Sequence, residues 1–130
     1  METALLDKQQ LMQSAQQNMQ QLFQDSIYTD RQKLALSCRI LFDHGHDAGL
    51  AGQITCRTAQ GNAFITQRFG LGFDEITAQN LLEVDEDLKP LNGQGMANPA
   101  NRFHTWVYKQ HPEVNCIIHT HPTHVAALSM

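Results

Sequence analysis

The sequence predicts a mixed α and β fold in which a sheet is covered by helices. Three observations predict it. Apolar residues recur at helical spacing near residues 1–26, 30–42 and 100–110. Two short runs with strand composition, at 53–57 and 62–66, flank the turn signal Gln60-Gly61-Asn62. The apolar run Val114 to Ile118 lies between two helical segments and reads as a buried strand.

The elements follow in order. Residues 1 to about 26 carry eight glutamines among Leu5, Leu6, Leu11, Met12, Met19, Leu22 and Phe23, with no Pro or Gly, and read as an amphipathic helix. Residues 1–28 are therefore taken as an N-terminal helical segment and 29–130 as the domain. Thr29 or Asp30 is the N-cap of a second helix, buried through Leu34, Leu36, Ile40, Leu41 and Phe42. Gly45, in His44-Gly45-His46, suits its left-handed C-cap. Then come strands at Gln53–Arg57 and Asn62–Thr66, a helical turn opening at Glu75-Ile76-Thr77, and a strand at Leu81–Asp85. Pro90, Gly93, Gly95 and Pro99 mark residues 86–99 as loop. A helix from Ala100 to Gln110 leads to the strand ending at His119, and His121 to Ser129 begins another helix. The chain stops at Met130 inside that pattern with no closing strand, so a domain incomplete at its C-terminus is expected.

Composition narrows the function. The 130 residues suffice for one core-bearing domain, and 42% hydrophobic with 17% charged residues is ordinary for a soluble protein. Net charge is −4 and no basic stripe stands out, which argues against a nucleic-acid partner. No apolar run is long enough to span a bilayer, and no secretory leader pattern opens the chain, so a cytoplasmic protein without a membrane partner is expected. Cys38, Cys56 and Cys116 are widely spaced and odd in number, which points to reduced, buried thiols rather than a disulfide framework.

Chemistry concentrates in Ile117-Ile118-His119-Thr120-His121-Pro122. In a strand, positions 119 and 121 face the same side with Cβ atoms about 7 Å apart. Two such imidazoles can converge on one divalent ion, each nitrogen about 2.0–2.1 Å from a zinc. Pro122 ends the strand directly after them, placing the pair where active-site groups commonly lie. Two histidines leave the site open, since catalytic centres usually take three protein ligands. His124 falls in the next helical segment, where packing is the expected role, and His104 is expected to tie its helix to the sheet. His44 and His46 flank a glycine turn and are expected to be solvated, and His111 is a loop residue.

At these residues the sequence resembles the class II aldolase/adducin N-terminal domain family, the group of L-fuculose-phosphate aldolase. The resemblance rests on Gly52-Gln53-Ile54-Thr55-Cys56-Arg57, Phe64-Ile65-Thr66, Ile76 to Asp85, Arg102 to Tyr108 and Val114 to Pro122, matching in order and spacing over about residues 30–130. It implies a three-layer α/β/α domain, a tetrameric homo-oligomer, a small-molecule substrate and a divalent metal. Zinc is the first expectation, with iron or manganese as alternatives. It implies that His119 and His121 are metal ligands. The ion would polarise a carbonyl or enediolate oxygen as a Lewis acid.

Three departures qualify the resemblance. The family's catalytic glutamate position is Ala100, which can neither ligate nor carry a proton. Its two phosphate-binding serines align with Asn98 and Pro99, and the strand asparagine with Gln53. Its third metal histidine lies downstream of the pair, beyond Met130. Asp74, Glu75, Glu83, Asp85, Glu86 and Asp87 are the carboxylates at hand, all in positions usually solvated. Gln53, Asn98 and Arg102 are the candidate substrate-binding residues; Asn101, Arg57 and Arg68 are weaker ones. The resulting reading is a metal-dependent, aldolase-like lyase acting on a small hydroxy-carbonyl or carboxylate compound, with chemistry altered by Ala100. The alternatives are a non-catalytic adducin-like interaction module, or an oxygenase or decarboxylase variant of the same fold.

Overall fold

The computed structural model describes residues 7–23 and 26–130. Helix α1 spans Lys8–Phe23. Those of its side chains that are described are exposed, among them Leu11, Met12, Met19 and Leu22. Residues 1–6 and 24–25 of the expected helix lie outside the described residues.

Helix α2 spans Asp30–Asp43 and starts on a complete capping box: Thr29 Oγ1 accepts from Gln32 N, and Gln32 Oε1 accepts from Thr29 N at 2.8 Å. Its end is closed by His44 and by Gly45 at φ +69°. Strands β1 (Gln53–Arg57), β2 (Phe64–Thr66), β3 (Leu82–Val84), β4 (Pro90–Asn92) and β5 (Cys116–His119) form one antiparallel sheet in the order β4-β3-β2-β1-β5. A 3₁₀ turn at Phe73–Glu75 follows β2, slightly ahead of the expected helical turn. Helix α3 spans Asn101–Gln110 and α4 Thr123–Leu128.

Period-two alternation sorts each strand onto two faces. One face gives Ile54 and Ile65 to a core with Leu34 and Cys38 of α2, Phe73, Ile76 and Leu81. The other gives Phe64, Leu82 and Val84 to a core with Ala97 and Tyr108 of α3. Helices on both faces make three layers. The α3 side is the more polar: Gln53, Thr55, Thr66, Asn101 and His104 are all at most 2% exposed there.

Several expectations need correction. Leu34 and Cys38 are the buried residues of α2, whereas Leu36, Ile40 and Phe42 of the expected stripe are exposed, and of the three thiols expected to be buried Cys116 is exposed and Cys56 half-buried. The 86–99 loop contains β4, a three-residue edge strand whose side chains are all exposed. Pro90 sits at its first position, where a missing N–H costs least. Strand β5 is not buried: it is an edge strand with Cys116 and Ile118 exposed and Ile117 and His119 half-buried. An apolar run reports affinity for a core, and here one flank of the strand is bare among the described residues.

Candidate functional site

Strand β1 places the first groups. Gly52 precedes it at φ +96°, and a Cβ there would stand 3.1 Å from the His119 carbonyl oxygen and 3.2 Å from the Phe73 ring. A glycine is thus what lets β1 start this close to β5. Gln53 pairs with His119 across the two strands, and Thr55 with Ile117 and Thr66. All five face α3.

The two candidate ligands stand together. His119 ends β5, and His121 lies two residues beyond it rather than inside it. Their ring centroids are 4.7 Å apart, with planes tilted by 39°. The Gln53 amide lies 2.9 Å from His119 Nδ1. The facing atom is the amide Nε2, which donates to Nδ1 and puts the proton of a neutral ring on Nε2; turned end for end, the amide would instead accept from Nδ1–H and leave Nε2 free for an ion. The Phe103 ring packs edge-on against His119 at 5.4 Å. Burial, and then the neighbouring His121 charge, pulls the His119 pKa below the ordinary imidazole value. Both effects keep the ring neutral and able to donate a lone pair.

Behind this pair lies a closed hydrogen-bond ring. His104 Nδ1 and Tyr108 Oη each lie 2.8 Å from Thr55 Oγ1, and Tyr108 Oη donates to the Thr55 carbonyl at 2.9 Å. Each proton has one acceptor if His104 Nδ1–H donates to Thr55 Oγ1, whose own proton goes to Tyr108. Burial, with a smaller contribution from His119, pulls the His104 pKa down to about 4. Alongside, Asn101 Nδ2 donates to Thr66 Oγ1 at 2.9 Å, and that hydroxyl donates to the Ile54 carbonyl at 2.8 Å. His104 therefore ties helix to sheet, as its place in the sequence suggests.

The remaining candidates are distributed as follows. Asn98 Oδ1 accepts from Ala100 N at 2.9 Å and shapes the entry to α3. Ala100 is the exposed residue just before that helix. Arg102 points to the β3–β4 turn, where it meets Asp87 at 3.4 Å and the carbonyls of Glu86 and Asp87. Arg57 stacks on Phe64 and Tyr108 and donates to the Tyr108 and Val114 carbonyls. Several carboxylates already have local partners: Glu75 accepts from Gly72 N, Asp85 from Asp87 N and Lys89 N, and Glu86 pairs with Lys109. His124 is exposed.

His46 differs from its expected solvated state. It is half-buried, its Nδ1 lies 3.2 Å from Thr120 Oγ1, and its carbonyl accepts from His121 N at 3.4 Å. It thus clasps the segment between the two candidate ligands.

Among the described residues no group of three or more His, Cys, Asp or Glu side chains gathers at one point. The paired rings, with His119 held through Nδ1, suit a divalent ion as two of its ligands; imidazole serves zinc and iron alike.

Comparison with known proteins identifies the family and the fold. The family model of the Class II Aldolase and Adducin N-terminal domain matches residues 32–130. Adducin-related protein 1 of Caenorhabditis elegans is 36% identical over 104 residues, covering 76% of this chain and 14% of that protein. The 3,4-dihydroxyphthalate decarboxylase of Arthrobacter keyseri is 29% identical over 107 residues, covering 77% of this chain and 43% of the enzyme. Among solved structures, L-fuculose 1-phosphate aldolase from Glaciozyma antarctica PI12 superposes with a TM-score of 0.68 at 28% identity, over 72% of this chain and 40% of that one. The chain thus spans less than half the length of each of these relatives.

Proposed function

We propose, from the premise that the chain belongs to the class II aldolase and adducin N-terminal domain family, that residues 29–130 form the metal-holding part of a lyase acting on a small hydroxy-carbonyl or carboxylate compound. Helix α1 (Lys8–Phe23) lies outside that domain. The observation that carries the reading is the His119–His121 pair, with ring centroids 4.7 Å apart and His119 held by Gln53. A divalent ion held there, zinc foremost, would supply Lewis acidity toward a substrate oxygen. The chain's own residues do the rest. Gln53 fixes the ring of His119 through Nδ1. Phe103 shields one side of that ring from water. The Thr55–His104–Tyr108 ring fixes α3 against the sheet, so that Phe103 keeps its place.

Ala100 bears on which bond is broken. Cleavage of an aldol requires a base to take a hydroxyl proton, a transfer typically worth about 10²–10⁴-fold in rate. Decarboxylation starts from an ionised carboxylate: the carbon–carboxyl bond breaks, its electron pair moves toward the carbonyl, and no substrate proton has to be removed first. A decarboxylase relative at 29% identity makes that variant concrete. The substrate is a small molecule in either case, and the active assembly is a cytoplasmic homo-oligomer.

The test is a turnover screen. The full chain, loaded in turn with zinc, iron and manganese, is offered sugar phosphates and β-keto or hydroxyaromatic carboxylates, and aldehyde and carbon dioxide are measured. Metal-dependent release of either product, abolished in His119→Ala, supports the proposal. No release with any metal would favour an adducin-like interaction module. That second reading is supported by Ala100 and by the 36% identity to the adducin-related protein.

A further inference from the structure

We propose that Cys56 and Cys116 form a redox-active dithiol, a site at which a small-molecule disulfide oxidises the chain to an intramolecular Cys56–Cys116 bridge. The two residues are direct partners across β1 and β5. Arg57 N donates to Asn115 O at 2.8 Å, so Arg57 and Asn115 are a hydrogen-bonded pair and Cys56 and Cys116 the adjacent non-hydrogen-bonded pair. At such positions Cα atoms approach to about 4.5 Å. That lies within the roughly 4.4–6.8 Å that disulfides span. Both side chains leave the sheet on the same face, close enough for each thiol to perturb the ionisation of the other. The pairing therefore gives the backbone spacing that a cross-strand disulfide takes.

The two thiols are not equivalent. Cys116 is exposed and Cys56 is half-buried. The interaction between the two side chains raises the pKa of Cys56 and lowers that of Cys116, favouring the Cys116 thiolate. Cys38 approaches the same face from α2 but is fully buried, and burial pushes its pKa up to about 12. It is inert by comparison.

The reaction balances without a metal or an electron carrier. The Cys116 thiolate attacks one sulfur of R–S–S–R, forming a mixed disulfide and releasing one thiolate. Cys56 gives up its proton and attacks the Cys116 sulfur, releasing the second. Two protein thiols are oxidised, one small disulfide is reduced to two thiols, and the bridge staples the edge strand bearing His119 to β1. In the reduced state no covalent bond joins the two strands.

The full chain is treated with oxidised glutathione under native conditions, then alkylated, digested and weighed. The expected result is a fall from three alkylatable thiols to one, with a Cys56–Cys116 peptide linked within one chain. Cys38→Ser should leave this unchanged, Cys56→Ser should trap a glutathione adduct on Cys116, and Cys116→Ser should resist oxidation. Three thiols still alkylatable in the wild type, a bridge involving Cys38, or a bridge between two chains would each overturn the proposal. All these readouts are masses, independent of any metal or turnover.

Discussion

Replacing Thr55 by valine isolates the hydrogen-bond ring that holds α3 against the sheet. The two side chains share volume and branching, so strand preference and packing stay nearly constant. What disappears is one hydroxyl, 2.8 Å from both His104 Nδ1 and Tyr108 Oη. Tyr108 keeps its bond to the Thr55 carbonyl at 2.9 Å. His104 keeps nothing: it is 0% exposed and its Nε2 already lacks a partner. A buried polar group left bare costs about 1–3 kcal/mol, and the lost hydroxyl bond to Tyr108 about 1 more. The sum is about 2–4 kcal/mol. With a urea slope near 2 kcal/mol/M, the unfolding midpoint should fall by about 1–2 M at unchanged slope. Far-ultraviolet circular dichroism follows the transition. Thr55→Ser keeps the hydroxyl and should cost roughly 1 kcal/mol for its missing methyl. A Thr55→Val midpoint within about 0.3 M of wild type would refute the claim that this hydroxyl anchors the helix.

Other expectations follow from the same contacts. His104 titrates at about 4 when folded, against an ordinary value of 6.5, so between those pH values the unfolded chain binds the proton and the folded one does not. Its contribution is complete above pH 6.5 and is lost as pH falls toward 4, up to roughly 3 kcal/mol; urea midpoints at pH 7 and pH 4.5 measure it, and His104→Phe should flatten that part of the slope. Gly52→Ala forces a side chain into φ +96° and against the His119 carbonyl at 3.1 Å, and should destabilise by roughly 2–3 kcal/mol in thermal unfolding. Gln53→Leu removes the partner of His119 Nδ1 and should weaken zinc binding by about 10–100-fold in a competition titration, with the fold retained.

Local chemistry made much of the fold legible. The Thr29 cap, the Gly45 stop and the Gly61 turn each follow from one residue's backbone or side-chain preference, and each stands where expected. Strand β4 was hidden because Pro90 and two nearby glycines give a turn signal, while its pairing to β3 is a tertiary contact with no periodicity over three exposed residues. The exposure of β5 was hidden for a related reason: burial depends on neighbours in the sheet, and Ile117 and Ile118 would read the same at an edge or a centre. At the site, the H-x-H spacing was legible because the two rings lie within one short segment. The Gln53 contact to His119, the His46 clasp on Thr120 and the Cys56–Cys116 pairing were not, since each joins residues at least 60 positions apart, and only the strand register brings them together.

The central claim is that His119 and His121 hold a divalent ion. Its most direct measurement is calorimetric zinc titration of the full chain beside His119→Ala, His121→Ala and the double variant, each checked for fold by circular dichroism. The account predicts saturable zinc binding in the wild type. Each single variant should lose at least about tenfold in affinity, the double variant should show no specific binding, and the spectra should stay unchanged. Equal zinc affinity in the wild type and the folded double variant would contradict it.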